Sequence, residues 1–407
     1  MKFSLSEFKN QLWNELVQNI LPFWANRMAD AAQGGFYGQM NGNNQVIPET
    51  EKGGILNARI LWAFSSAWIQ EKNPLYLEMA NRAKTYIQNH FVDLEFGGTY
   101  WMVSFDGKPV DTKKQIYSQA FFIYAFTEHY QASGEESSLQ TAIELFRIIE
   151  KYSFDRELNG YFEAYSRNWV LLEDLRLSEK DENEKKTMNT HLHILEAYTN
   201  LYRVWKNDEL ARQLRNLILI FIKKIVNPAT YHLDLFFDEC WNTRSTIVSY
   251  GHDIEASWLI EEAARILGDL QLLAKVQKKC ISIAEAACEG IQPDGSLIYE
   301  WNKNNGYLDK DRHWWVQSEA VVGFLNAYEL TEDEGWLDKA MKCWKYIDNN
   351  LVDRDGGDWF WSISDDGNVN WKGDKAGFWK CPYHNSRMCL EGISRINSIQ
   401  HSSIKNC

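Results

Sequence analysis

Three histidines in this chain sit where a helix would place them beside a polar or charged side chain. His252 and Glu255, in the stretch SYGHDIEASW that runs from Ser249 to Trp258, are three apart and share one helix face. That spacing predicts an imidazole oriented by Glu255, with its pKa raised, working near the pH where histidine is both acid and base. In MNTHLHILEAY, Asn189 and His193 are four apart and share a face, whereas His191 and His193 are two apart and cannot both enter one cleft. His193 is therefore the site candidate, and His191 is expected to be a packed histidine bonded to a carbonyl. His384 and Arg387 stand in CPYHNSRMC, Arg59 in GGILNARILW, Tyr117 in QIYSQAFF, and Trp314, Trp315 and Glu319 in DRHWWVQSEA. Neutral-pKa bases, a cation and aromatic faces could together move protons on a bound ligand. Each residue also has a purely structural reading, as core, packing or a bonded surface group.

These residues need elements that bring them together. Helical periodicity predicts helices over 4–28, 51–71, 74–91, 112–132, 136–153, 187–206, 208–226, 249–267, 270–290, 312–330, 332–350 and 383–397. After every second helix comes a segment of alternating aromatics with Gly or Asn, such as GGFYGQMNGNN from Gly34, FGGTYWMVSFDGKP from Phe96 and GGDWFWSISDDGNV from Gly356. Each reads as a short hairpin or extended loop. The segments recur about every 60 to 75 residues, which predicts six helical hairpins. The expected fold is all-α: a single (α/α)6 barrel over 1–407, with an open superhelix as the competing geometry. Closure is favoured because the helices beginning near 51, 112, 187, 249, 312 and 383 are apolar on several faces, as enclosed helices must be. Their ends would converge on one cleft. The charged run SEKDENEKK from Ser178 reads as a surface loop or lid.

Composition bounds the partners. At 407 residues and 45% hydrophobic the chain can bury a large core, and its net charge of −13 argues against nucleic acid or an anionic membrane. Seven cysteines are scattered without zinc or disulfide spacing, which predicts free thiols in a reducing cytoplasm. The N-terminus reads as an amphipathic helix, and no apolar run is long enough to span a membrane. No HExxH or Cys/His pattern occurs, and histidines at the starts of helices in a wide ring stand apart, so neither metal nor other cofactor is expected. The clusters Trp314-Trp315 and Trp359-Phe360-Trp361 exceed what a core usually requires and point to stacking on sugar rings. Nothing in the sequence decides between monomer and homodimer.

The segments NTHLHILEAY, SYGHDIEASWL, DRHWWVQSEAVVGFLNAY and GFWKCPYHNSRMC resemble those of the N-acylglucosamine 2-epimerase superfamily. The likeness extends from LPFW at Leu21 to His384. It implies an (α/α)6 barrel that inverts C2 of a reducing-end glucose to give mannose, on cellobiose-type β-1,4-linked disaccharides. It further implies that His384 and His252 are the general acid/base pair. Arg59, Tyr117, Asn189, His193, Glu255, Trp314, Trp315, Trp379 and Arg387 would bind or orient the sugar.

The chemistry agrees with that implication. Inverting a carbon without a leaving group means removing and returning a proton, and C2 of an aldose becomes acidic only after the ring opens to an aldehyde. The site must open the ring, take the C2 proton and hold a cis-enediolate, for which Arg59 with His193 is the candidate donor set. Reprotonation at C1 instead would give a ketose, so slow aldose–ketose isomerisation is an expected side activity. N-acetylglucosamine 2-epimerisation and mannose isomerisation are alternatives in the same superfamily. An inverting glycosidase using Glu255, Glu319 or Asp253 is a second enzyme class, and a non-enzymatic sugar binder a third.

Overall fold

The computed structural model describes residues 4–405. The first outer helix is α1 (Leu5–Asn14), continued through a π-helical stretch (Glu15–Ile20) into α2 (Leu21–Arg27). Then follow α3 (Gly54–Gln70), α4 (Pro74–His90), α5 (Ile116–Ser133), α6 (Glu136–Tyr152), α7 (Met188–Val204) and α8 (Asp208–Ile220). The chain continues with α9 (Tyr250–Leu267), α10 (Leu270–Ala287), α11 (Trp314–Thr331), α12 (Glu334–Tyr346) and α13 (His384–Lys405). Neighbours in the inner ring are α3, α5, α7, α9, α11 and α13, and α13 packs back on α3, closing it. The (α/α)6 barrel expected from the sequence is the fold.

Burial explains which helices lie inside. In α3 every residue from Gly54 to Ala67 is buried, because an inner helix touches neighbours on all sides. In α8 the buried set is Leu210, Leu214, Leu217, Ile218 and Ile220, the single stripe of a helix with one face in water. Asn73, Asn207, Asp269 and Asp333 cap the outer helices α4, α8, α10 and α12 by accepting from their first backbone N–H groups. Gly134 and Gly268 end α5 and α9 in the left-handed conformation.

The aromatic segments form small antiparallel pairings above the ring. They are β1 (Lys52–Gly53) with β2 (Met102–Val103) and β3 (Pro109–Asp111), then β4 (Lys114–Gln115) with β5 (Ala164–Tyr165). Next come β6 (Lys186–Thr187) with β7 (Phe236–Phe237), β8 (Ile247–Ser249) with β9 (Glu300–Asn302) and β10 (Leu308–Asp309), and β11 (Arg312–His313) with β12 (Ser362–Ile363). Helices expected from 51 and 112 therefore start later, at Gly54 and Ile116, since the residues before them are spent on strand pairing. The inner helices α3, α5, α7, α9 and α11 are thereby tied at their N-termini to the loop of the next repeat.

A buried ion pair repeats with the hairpins. Lys52 Nζ meets Asp30 at 2.7 Å, Lys114 meets Asp93 at 2.9 Å, Lys186 meets Asp155 at 2.7 Å and Lys375 meets Asp353 at 2.5 Å. Each aspartate opens the tight turn after an outer helix, so the pair locks that turn to the following loop. In the fourth repeat Asn227 holds the turn position, and the charge pair there is His232 Nδ1 with Asp253 at 2.7 Å. The chain thus repeats in its electrostatics as well as its helices.

Candidate active site

The N-terminal ends of the inner helices open on a cavity of about 550 Å³, within the size range of small-molecule sites. Arg59, Tyr117, Asn189, His193, His252, Glu255, Trp314, Trp315, Trp379 and His384 all line it. Two expected contacts, Glu319 and Arg387, do not; both are about 1% exposed and lie behind the wall. His191 is also outside. Its Nδ1 lies 2.6 Å from the Thr187 carbonyl, and Nε2 accepts from the Tyr161 N–H at 2.9 Å, the packed, carbonyl-bonded state expected of it. Trp361 of the expected aromatic cluster and Asp181 of the charged run also line the mouth, which is completed by residues the sequence did not single out: Leu175, Leu177, Tyr299, Glu300, Asp309 and His313.

Behind the cavity, one guanidinium organises the carboxylates. Arg387 Nη2 donates to Glu255 and to Glu319, each at 2.6 Å, and Nη1 donates to Glu196 and to the Tyr383 hydroxyl. Glu319 accepts in turn from His384 Nδ1 at 2.6 Å and from Trp258 Nε1 at 3.1 Å. Glu196 accepts from His193 Nδ1 at 2.9 Å. An ionised carboxylate only accepts, so both histidines hold their proton on Nδ1 and keep the Nε2 lone pair. Oxygen and nitrogen atoms of Glu255, Glu319 and His384 lie within 4.8 Å of one another, a spacing able to hold a metal ion, but the cation among these groups is Arg387. Glu196 carried the same signal as Glu255, a carboxylate three residues after a histidine.

The expected His252–Glu255 pair is not formed. Glu255 is taken by Arg387, and His252 Nδ1 lies instead 2.8 Å from the Ser249 hydroxyl. Sharing a helix face permits contact without compelling it, and a guanidinium offers a carboxylate the stronger bond. The expected upward pKa shift is reversed accordingly. Burial, with the neighbouring His193, pushes His252 down to about 3. Burial and the charges of Arg59 and Arg387 hold His384 well below the usual imidazole range, and burial also lowers His193. All three rings are neutral at pH 7. Burial and the charge of Glu319 raise the Glu255 carboxyl to about 8.

Trp315 lies between two of these bases, its ring centroid 4.8 Å from that of His252 and 5.7 Å from that of His384. Gly251 makes room for it, since a Cβ there would come within 2.6 Å of the indole. Arg59 is 3% exposed, and no carboxylate pairs with it among the described residues. Its Nη2 donates to the Tyr117 hydroxyl at 2.8 Å, and its guanidinium lies over the rings of Phe121 and Tyr383 at 4.1 and 4.6 Å. Burial would discharge it, but Tyr117, Cys381 and Tyr383 hold it charged. Asn189 Oδ1 and Trp314 Nε1 are buried without a partner among the described residues. A cation with no counter-ion and unpaired polar atoms beside neutral bases form a site prepared for a polar guest that develops negative charge.

The matching family and relatives place this (α/α)6 ring among the carbohydrate-active isomerases. The model of the N-acylglucosamine 2-epimerase (GlcNAc 2-epimerase) family matches residues 35–386, and the chain belongs to that family. It is 53% identical over 383 residues to the cellobiose 2-epimerase of Bacteroides fragilis, covering 94% of this chain and 98% of that one. The solved cellobiose 2-epimerase from Bacillus thermoamylovorans superposes with a TM-score of 0.92 at 43% identity, over 96% of this chain and all of that one. A D-mannose isomerase at 18% identity, with a TM-score of 0.84 over 97% of this chain and 100% of its own, shares the fold.

Proposed function

We propose that this enzyme inverts C2 of the reducing-end glucose of cellobiose-type β-1,4-linked disaccharides, giving mannose at that position, with slow aldose–ketose isomerisation on the side. One observation carries the reading: two neutral imidazoles from separate inner helices, His252 on α9 and His384 on α13, flank one indole in one cavity. Proton removal from a sugar carbon needs uncharged bases, and inversion needs two of them or one intermediate that turns between them. The family membership and the 53% identity to a cellobiose 2-epimerase support the same activity.

The steps follow from the side chains. One imidazole helps move a proton between the anomeric hydroxyl and the ring oxygen, which opens the ring and exposes the aldehyde. The His384 Nε2 lone pair or that of His252 then takes the C2 proton, and the electron pair flows onto O1, giving the cis-enediolate. Arg59, with support from His193, meets the charge on that oxygen; one such donor contributes about 3 kcal/mol. The second imidazole, having taken a proton from solvent, reprotonates the other face of C2, the first returns its captured proton to solvent, and the ring closes. Glu319, Glu196 and Arg387 act through the rings they hold, while Tyr117, Asn189, Glu255 and Trp379 orient the hydroxyls. Trp314 and Trp315 provide stacking area, with the second sugar extending toward the mouth formed by the 175–184 loop. The enzyme works in the cytoplasm as a monomer or homodimer; the six free thiols among the described residues support a reducing compartment.

The glycosidase reading is weaker on geometry. Glu255 and Glu319 approach within 4.8 Å and share Arg387, whereas an inverting pair stands about 6.5–9.5 Å apart with water between. Asp253 is taken by His232. Cellobiose incubated with the enzyme in heavy water tests the proposal. Epimerisation leaves the disaccharide intact and places deuterium at C2 of a new reducing-end mannose, seen by NMR. Hydrolysis to two monosaccharides would sink it. His252→Asn and His384→Asn should each lower turnover by about 10²- to 10⁴-fold; a sugar binder would keep its binding and lose nothing else.

A further inference from the structure

Five of the inner helices follow directly on a paired strand, as Lys114–Gln115 runs into α5 and Arg312–His313 into α11. The sixth does not. Its equivalent tie is Ala376, bridged to Met40, whose N–H donates to the Ala376 carbonyl at 2.8 Å, and α13 begins only at His384. Residues 377–383 fill the gap and build part of the site. Trp379 lines the cavity, and the Trp379 carbonyl and Cys381 Sγ lie 3.4 and 3.9 Å from Arg59 Nη1. This loop and the start of α13 therefore lack the ladder that holds the other five helix starts.

One carboxylate takes its place. Asp358 Oδ1 accepts from the Nδ2 of Asn385, the neighbour of His384, at 2.7 Å. Its Oδ2 accepts from Trp24 Nε1 at 2.9 Å and lies 3.5 Å from the Nζ of Lys380, the neighbour of Trp379. Asp358, Asn385 and Lys380 are all buried. Asp358 also stands where other turns have glycine. In three of them an aspartate N–H donates to the carbonyl five residues on, at Gly35, Gly98 and Gly160, each with φ between 60° and 92°. The Asp353 N–H makes the same bond to Asp358, whose φ is 54°. A side chain in that left-handed conformation is strained where glycine is not. Such strain persists where the surrounding structure enforces it, often beside active sites.

We infer that Asp358 is a positioning residue for the reaction: its buried carboxylate fixes the start of α13 through Asn385 and the 377–383 loop through Lys380, and so sets His384 and the loop's contacts with Arg59 against the sugar. Asp358 itself does not line the cavity. The inference rests on the reading of His384 as a reacting base.

The test measures kcat and KM on cellobiose, with thermal unfolding, for Asp358→Gly, Asp358→Asn, Asn385→Ala and Leu214→Ala, with His384→Asn in parallel. Asp358→Gly relieves the backbone but leaves Asn385 and Lys380 without their acceptor, so kcat should fall about tenfold to hundredfold at temperatures where the variant is folded. Asparagine tolerates the left-handed conformation and keeps an oxygen for Asn385, so Asp358→Asn should regain much of that loss. Asn385→Ala cuts only the link to α13 and should lower kcat about tenfold with KM within about twofold of native. Leu214, fully buried on the outer helix α8, controls for stability: Leu214→Ala should lower the unfolding temperature and keep native kcat. Native kcat in folded Asp358→Gly or in Asn385→Ala overturns the inference, as does an equal loss in Leu214→Ala. If either of the first two fails to fold, the other decides. Activity retained in His384→Asn overturns the reading beneath it.

Discussion

Replacing Glu319 by Gln separates the role of the carboxylate behind His384 from that of the ring itself. When Nε2 takes a proton, the resulting imidazolium lies 2.6 Å from Glu319 through Nδ1. A charged acceptor is worth roughly twice a neutral one, a difference of about 1–2 kcal/mol. At 1.36 kcal/mol per decade, Glu319→Gln should therefore lower kcat about five- to thirtyfold if the amide oxygen takes the Nδ1 proton. If the amide nitrogen faces the ring instead, the lone pair moves to the wrong atom and the loss grows toward about 10⁴-fold. The fold should survive, because three carboxylates share Arg387 and burial with the charge of Glu319 holds the Glu255 carboxyl at about 8. Taking away one charge lets Glu255 ionise more easily. Initial epimerisation rates across pH, with thermal unfolding alongside, check each part. The acid limb should move down, since His384 loses a neighbour that favours its charged form. Wild-type kcat with an unmoved pH profile would refute the argument that Glu319 acts through His384.

Trp315→Ala should raise KM more for cellobiose than for a monosaccharide, and also lower kcat because His252 and His384 both pack on that indole; equal KM changes on both sugars would reject the stacking role. Lys52→Met leaves the Asp30 carboxylate buried without its cation and should reduce unfolding free energy by about 3–5 kcal/mol, with partial recovery in the double variant carrying Asp30→Asn. Denaturant titration that finds the single variant no less stable would exclude the turn-locking role. His232 is pulled down by burial but held above its usual 6.5 by Asp253 and Glu289, so its contribution to stability is complete below that value and fades as pH rises through the higher folded one. The stability gap between the native chain and His232→Gln should accordingly shrink as pH rises above about 6.5; a gap that widens with rising pH contradicts the sign.

Much of this protein was legible before folding was considered. The alternation of all-round apolar helices with one-striped helices fixes six hairpins and tells inner from outer, because burial on every side leaves no polar stripe, as in Gly54–Ala67. Nine of the ten cavity residues named from their segments sit in the first turns of those inner helices, where a closed ring brings them together, and Trp379 lies in the loop just before α13. Partnership was not legible. His252 and Glu255 share a face, yet Arg387 arrives from another helix and takes Glu255, leaving His252 to Ser249. Glu196 and Glu319 found His193 and His384 in the same way, one at local spacing and one from 65 positions away. Spacing along one helix decides which groups can meet. Which of them do meet, and the charge each carries at neutral pH, is set by the competing donors and the loss of water that only the assembled barrel imposes.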